Sequence, residues 1–158
     1  GSEVWTSSFG VSTINDMASA LSSDGLGTYI ACGTVISNGQ KDGLIVGFTS
    51  DGDMLFSDTY GGNGNDWFND IIFTSDGHYV LCGVYEASDY DSWISKIDPS
   101  GTVIWQRNIG FDGTDHANGI SQVTDGGYVL TGYWNTEGSN DYILIKTDSE
   151  GYSTNQSR

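Results

Sequence analysis

One block of about fifty residues is written three times in this chain, and such a period in a strand-rich sequence points to propeller blades. A large aromatic (Trp5, Phe56, Trp105) is followed by glycine (Gly10, Gly61, Gly110) and then by aspartate (Asp16, Asp66, Asp115). An aliphatic residue comes next (Leu21, Ile71, Ile120), then tyrosine (Tyr29, Tyr79, Tyr128) and glycine (Gly33, Gly83, Gly132). A second aspartate (Asp42, Asp91, Asp141) leads to a third glycine (Gly52, Gly101, Gly151).

Each copy reads as four short strands. In the second copy they are residues 68–73, 78–84, 92–97 and 102–108. The turns between them, Thr74-Ser75-Asp76-Gly77 and Asp98-Pro99-Ser100-Gly101, are hairpin chemistry. Glycine supplies positive φ there, and aspartate bonds its own backbone. No segment holds a helical period, so the expected fold is all-β. The expected layout is one domain, 1–158. Residues 3–10 form an outer closing strand. Blades span 11–60, 61–109 and 110–151, and 152–158 is a tail.

The two ends are offset by one strand. Val4-Trp5-Thr6-Ser7-Ser8-Phe9-Gly10 matches the outer strand Ile104-Trp105-Gln106-Arg107-Asn108-Ile109-Gly110. After Gly151 the tail lacks that apolar pattern. Three blades fall short of the roughly four to eight that close a ring. A two-fold dimer would make a six-bladed ring, with the Trp5 strand of each subunit beside residues 141–147 of the other. Val4, Trp5, Phe9, Tyr142 and Leu144 would carry this assembly. The alternative is a section of a longer propeller. Gly1-Ser2 reads as the remnant of a cleaved tag.

Hydrophobic residues at 37% suffice for a core, and 23 glycines with one proline describe many tight turns. Acidic residues outnumber basic ones by 21 to 5, a net charge of −16. That balance repels nucleic-acid phosphates and anionic membrane surfaces, and it attracts cations or basic partners. No stretch is long and apolar enough to span a bilayer as a helix. Cys32 and Cys82 hold equivalent positions in neighbouring copies, further apart than a disulfide allows, and read as small buried residues.

Two runs carry a resemblance. The first is Tyr60-Gly61-Gly62-Asn63-Gly64-Asn65-Asp66 with Thr74-Ser75-Asp76-Gly77-His78-Tyr79-Val80. The second is Thr124-Asp125-Gly126-Gly127-Tyr128-Val129-Leu130-Thr131-Gly132 with Asp141-Tyr142-Ile143-Leu144-Ile145-Lys146-Thr147-Asp148. Both resemble the Gly/Asp-rich propeller-type repeats of secreted and cell-surface proteins of bacteria and archaea. The resemblance covers nearly the whole chain. It implies a β-propeller and an extracellular or cell-surface setting, and it implies no fixed activity. The first copy departs from it, with Val11-Ser12-Thr13-Ile14 in place of the Gly-rich loop.

The repeated aspartates have two readings. One is structural, an Asp side chain accepting backbone N–H bonds in a turn. The other is cation binding. The connections holding the two Asp sets leave from the same end of a blade. Asp66, Asp115, Asp91 and Asp141, with Glu86, Asp89, Asp112 and Glu137 nearby, would then make an acidic face. Calcium is the ion such oxygen ligands suit. The run Gly61 to Asn69 also fits a calcium-binding nonapeptide, but it occurs once and reads better as a connecting turn. His78 and His116 sit at different repeat positions and read as surface residues.

Trp67, Tyr85, Tyr90, Tyr133 and Trp134 lie near the loops of the same face without a strict repeat. They read as strand-end packing or as a platform for a carbohydrate, which needs apolar stacking beside directional hydrogen bonds. No G-x-S-x-G elbow, H-E-x-x-H or phosphate loop is present, so the chain is expected not to be an enzyme. The expected role is a non-catalytic binding or scaffold module that self-assembles by reciprocal strand exchange. A glycan-binding lectin and a calcium-stabilised adhesion module are the alternatives.

Overall fold

The structure is a computed structural model that describes residues 4–9, 15–136 and 138–153. The all-β expectation holds, and no helix forms among the described residues. Among the described residues, eleven strands build three antiparallel sheets in chain order. The first holds β1 (Asp16–Ser23), β2 (Thr28–Ser37), β3 (Gln40–Thr49) and β4 (Met54–Tyr60). The second holds β5 (Trp67–Phe73), β6 (Tyr79–Glu86), β7 (Tyr90–Ile97) and β8 (Val103–Ile109). The third holds β9 (Thr114–Gln122), β10 (Tyr128–Thr136) and β11 (Ser139–Thr147). Each sheet is a meander in sequence order. In the second sheet β5 and β7 begin one and two residues earlier than expected, β6 and β8 begin one residue later, and β6 ends two residues later; Asp42, Asp91 and Asp141 lie inside β3, β7 and β11.

The turns follow from their residues. In Asp98-Pro99-Ser100-Gly101, the Asp98 carboxylate accepts the Ser100 and Thr102 amides at 2.8 and 3.0 Å. Asp148 does the same for Glu150 and Tyr152. The repeated glycine Gly33, Gly83 and Gly132 has a different reason. The inner strand of each sheet carries a bulge at the same place, which pushes a carbonyl against this glycine. A methyl group there would stand 1.9, 2.0 or 1.7 Å from the carbonyl oxygen of Met17, Trp67 or His116. Only glycine tolerates such an approach.

The sheets stack face to face through two apolar clusters. Ile30, Cys32 and Ile45 of the first sheet meet Phe68, Ile71, Tyr79, Leu81, Trp93 and Ile97 of the second. Val80, Cys82, Ile94, Trp105 and Ile109 of the second meet Ala117, Ile120, Tyr128, Leu130 and Ile145 of the third. Each fully buried large side chain contributes about 1.5–3 kcal/mol. Both cysteines are free and buried, and burial pushes the Cys32 thiol up to about 12.

The third sheet has no fourth strand among the described residues. Among the described residues the chain turns back after Gly151, and Ser153 bridges to Thr147. Residues 4–9, expected as a strand, lie in no ladder within this chain. They pack on the first sheet instead. Trp5 meets Phe48 edge-on at 6.2 Å, and Phe9 stacks on Phe48 at 5.8 Å. The Trp5 indole N–H donates to the Ser50 carbonyl at 2.9 Å.

Candidate functional site

The chemistry-bearing residues gather at one end of the sheets, where the connection into each new sheet meets a hairpin of the sheet before. The loop 61–66 is stapled to both of its neighbours. Towards the first sheet, the Asp66 amide donates to the Lys41 carbonyl at 2.8 Å, and the Lys41 amide donates to the Asn65 side chain at 3.1 Å. Towards the second, the Asn65 amide and side chain both donate to one Glu86 carboxylate oxygen, at 2.5 and 2.7 Å. The turn expectation for the Gly61 run is met by this geometry. Beside it, Asn63, Gly64, Tyr85, Glu86 and Ala87 line an open polar hollow of about 340 Å³.

Asp66 is fully buried at the heart of this loop. One carboxylate oxygen accepts the Gly62 amide at 2.5 Å and the other accepts the Glu86 amide at 2.8 Å. Burial raises its pKa, these two amides lower it, and Asp42 and Glu86 raise it again. A methyl group on Gly61 would stand 2.4 Å from Asp66 Oδ2 and 2.9 Å from Asp42 Oδ1, so both carboxylates converge on this glycine.

The same pair recurs one sheet later. Asp115 is fully buried and accepts the Phe111 amide at 2.7 Å through Oδ2. Its Oδ1 has no hydrogen-bond partner among the described residues. Burial pushes Asp115 up to about 6, opposed by the Phe111 amide and reinforced by Asp91 and Asp89. Asp91 is raised by burial and by Asp89, and its Oδ1 crowds Gly110. The two Asp sets therefore share one end, paired across neighbouring sheets as Asp42 with Asp66 and Asp91 with Asp115.

Asp141 stands apart at an exposed edge, and Glu137 lies outside the described residues. Among the described residues no group of three or more His, Cys, Asp or Glu side chains comes close enough to hold a metal ion.

Three of the five nominated aromatics converge, and they converge on a residue the sequence reading left at the surface. His116 is half-buried, which lowers its pKa. It stacks on Tyr133 at 4.5 Å, with Trp67 at 5.4 Å and Tyr90 at 5.9 Å. Trp67 and Tyr90 are 5.9 Å apart, and the Lys41 ammonium sits 5.0 Å from the Trp67 ring. The repeat alignment held the signal, because His116 follows Asp115 as Trp67 follows Asp66.

Tyr85 and Trp134 point elsewhere. Tyr85 packs on Trp93 at 5.7 Å. Trp134 packs on Phe111 at 5.8 Å and donates its indole N–H to the Asp112 carbonyl. These two hold equivalent positions on β6 and β10, whereas Tyr133 is one residue away and faces the other side of its strand.

No protein-family model matches the chain, and no curated protein matches it either. The reading of its role therefore rests on the contacts themselves. One of these repeats three times. The glycines in the turns that follow β3, β7 and β11, Gly52, Gly101 and Gly151, each press on an aromatic ring, respectively Trp5, Phe56 and Trp105. A methyl group there would stand 2.9, 2.8 and 2.7 Å from the ring. Phe56 and Trp105 belong to the last strand of the sheet before the glycine. Trp5 makes the same contact with the first sheet, although no sheet precedes it within the described residues.

Proposed function

We propose that the chain is a non-catalytic β-propeller binding or scaffold module that self-assembles by reciprocal strand exchange. Its three sheets are blades, and two copies close a six-bladed ring. The contact of Trp5 with Gly52 carries this reading, because it repeats the blade-to-blade contacts of Phe56 with Gly101 and of Trp105 with Gly151. Residues 4–9 thus lie on the first sheet as an outer strand belonging to a blade before it. The third sheet, with three strands among the described residues, is the blade this strand would complete. Closed two-fold symmetry satisfies both copies with one kind of contact. Light scattering on the eluting protein tests it: the expected mass is twice 16.9 kDa. A monomer that persists at high concentration refutes the ring.

A second reading, a carbohydrate-binding propeller, is favoured by the cluster of Trp67, Tyr90, His116 and Tyr133. Aromatic faces beside carboxylates and amides are the groups that sugar recognition uses. A glycan array run with and without calcium tests it. Binding that disappears in Trp67→Ala supports the lectin. A calcium-dependent rise in melting temperature without sugar binding supports a calcium-stabilised module instead.

A further inference from the structure

The two internal junctions are templates for a third. At each, the following sheet packs on the one before it and buries the third strand of that sheet. Ile45 and Ile94 hold equivalent places on β3 and β7, and both are 0% exposed. Their counterpart on β11 is Leu144, which is 65% exposed, with Tyr142 beside it at 72%. The first sheet shows the complementary deficit. Ile71 and Ile120 are 3% and 8% exposed, but their counterpart Leu21 is 58% exposed and Met17 is 65% exposed. Between residues 4–9 and this face lies a cavity of about 220 Å³. Its walls include Phe9, Met17, Ala18, Ala31, Leu44 and Val46. Ala18, Ala31 and Leu44 are the counterparts of Phe68, Leu81 and Trp93, which meet Ile45 across the first junction.

We propose that this cavity is the seat for β11 of a second copy of the chain, with Leu144 entering it and residues 5–9 completing the β11 sheet in a defined register. The inference rests on the ring proposed above and fixes its contacts. The template ladders give the register. Ser92 pairs with Ile109, Ile94 with Arg107 and Lys96 with Trp105. Gly43 pairs with Tyr60, Ile45 with Asp58 and Gly47 with Phe56. Transferred to the third junction, Tyr142 pairs with Phe9 of the second copy, Leu144 with its Ser7 and Lys146 with its Trp5. Among the described residues, the chain's own return after Gly151 meets β11 at Thr147, one residue beyond Lys146.

The test is intermolecular crosslinking in the intact chain. Directly opposed Cα atoms in an antiparallel ladder lie about 4.5–5.5 Å apart, within disulfide range. Diagonal neighbours lie about 7–8 Å apart, outside it. Ser7→Cys with Leu144→Cys should give a covalent dimer on oxidation, while Ser7→Cys with Tyr142→Cys should not. Leu144→Lys should leave the circular dichroism spectrum unchanged, since the side chain is exposed in the single chain. It should weaken the dimer by about 30-fold or more, because each ring loses two buried leucines. A dimer that ignores Leu144→Lys and does not crosslink overturns this seat but leaves the ring standing. A monomeric wild-type chain overturns both.

Discussion

Replacing Asp115 by asparagine should stabilise the protein, and only at neutral to alkaline pH. In the folded chain burial pushes this carboxyl up to about 6, from an ordinary value of 3.8. The native state therefore holds the proton more tightly than the unfolded state does. The stability this provides is complete below the unfolded value and is lost as pH rises through about 6. The difference of roughly two units corresponds to a penalty of about 3 kcal/mol for ionised Asp115 at pH 8. Asparagine has no charge to bury. Its amide oxygen can still accept the Phe111 N–H, and its amine replaces Oδ1, the oxygen left without a partner beside the carboxylates Asp91 and Asp89.

Urea unfolding at pH 4, 6 and 8, at one protein concentration, measures the effect. Asp115→Asn should unfold like wild type at pH 4 and gain up to about 3 kcal/mol at pH 8, a shift of several degrees in melting temperature for a domain of this size. A stability difference that is the same at pH 4 and pH 8 would refute the reasoning. Asp66→Asn is the internal contrast. Both Asp66 oxygens accept backbone amides. The asparagine amine would face one of those amides, so this variant should lose about 1.5–3 kcal/mol at pH 8.

The ion pair of Lys96 with Asp76 (2.5 Å) should govern the acid limb of stability. Asp76 is held well below the usual carboxylate range: burial opposes this, but the bonds from Lys96 and Thr74 outweigh it. Its stabilising share is present above about pH 4 and fades as pH falls, so Asp76→Asn should flatten the acid limb of a melting-temperature profile. Gly101→Ala and Gly77→Ala place alanine at nearly the same positive φ, +93° and +82°. Both should lose about 1–2 kcal/mol for the backbone, and Gly101→Ala should lose more, since its methyl meets Phe56 whereas nothing lies within 4 Å of the one at Gly77. Equal losses in denaturant melts would contradict the proposed role of the ring contact. Cys32 and Cys82, both buried with raised pKa, should resist Ellman's reagent at pH 8 until the protein is unfolded.

The sequence showed where the copies agree, and the structure gives the reason at each such place. Gly33, Gly83 and Gly132 were legible as a repeat, but the carbonyl bulging against them was not, because a bulge leaves no residue type behind. The Asp sets were legible as two columns. Their pairing crosses from one copy to the next, as with Asp42 and Asp66, and a column alignment compares positions rather than contacts. His116 was hidden by the difference of its side chain from Trp67, although the alignment places both directly after the buried aspartate. Tyr85 and Trp134 were grouped with Tyr133 by proximity to the loop. The alternation of side chains along a strand separates them.

These misses share a geometry that bears on where specificity is built. Lys41, Tyr90 and Asn140 each precede the second aspartate of their copy, while Trp67, His116 and Met17 each follow the first. At the first junction Lys41 lies over Trp67, and at the second Tyr90 lies against His116. At both places the buried aspartate accepts the amide four residues before it, from Gly62 or Phe111, so the residue pair beside it is free to differ. One junction presents a cation over an indole and the next presents a phenol against an imidazole. In a closed ring the third would set Asn140 against Met17 of the second copy. The frame is then repeated sixfold while its chemistry is repeated only twofold. Any ligand held at this end would have to choose among three kinds of junction, and Trp67→Ala, His116→Ala and Met17→Ala would tell them apart.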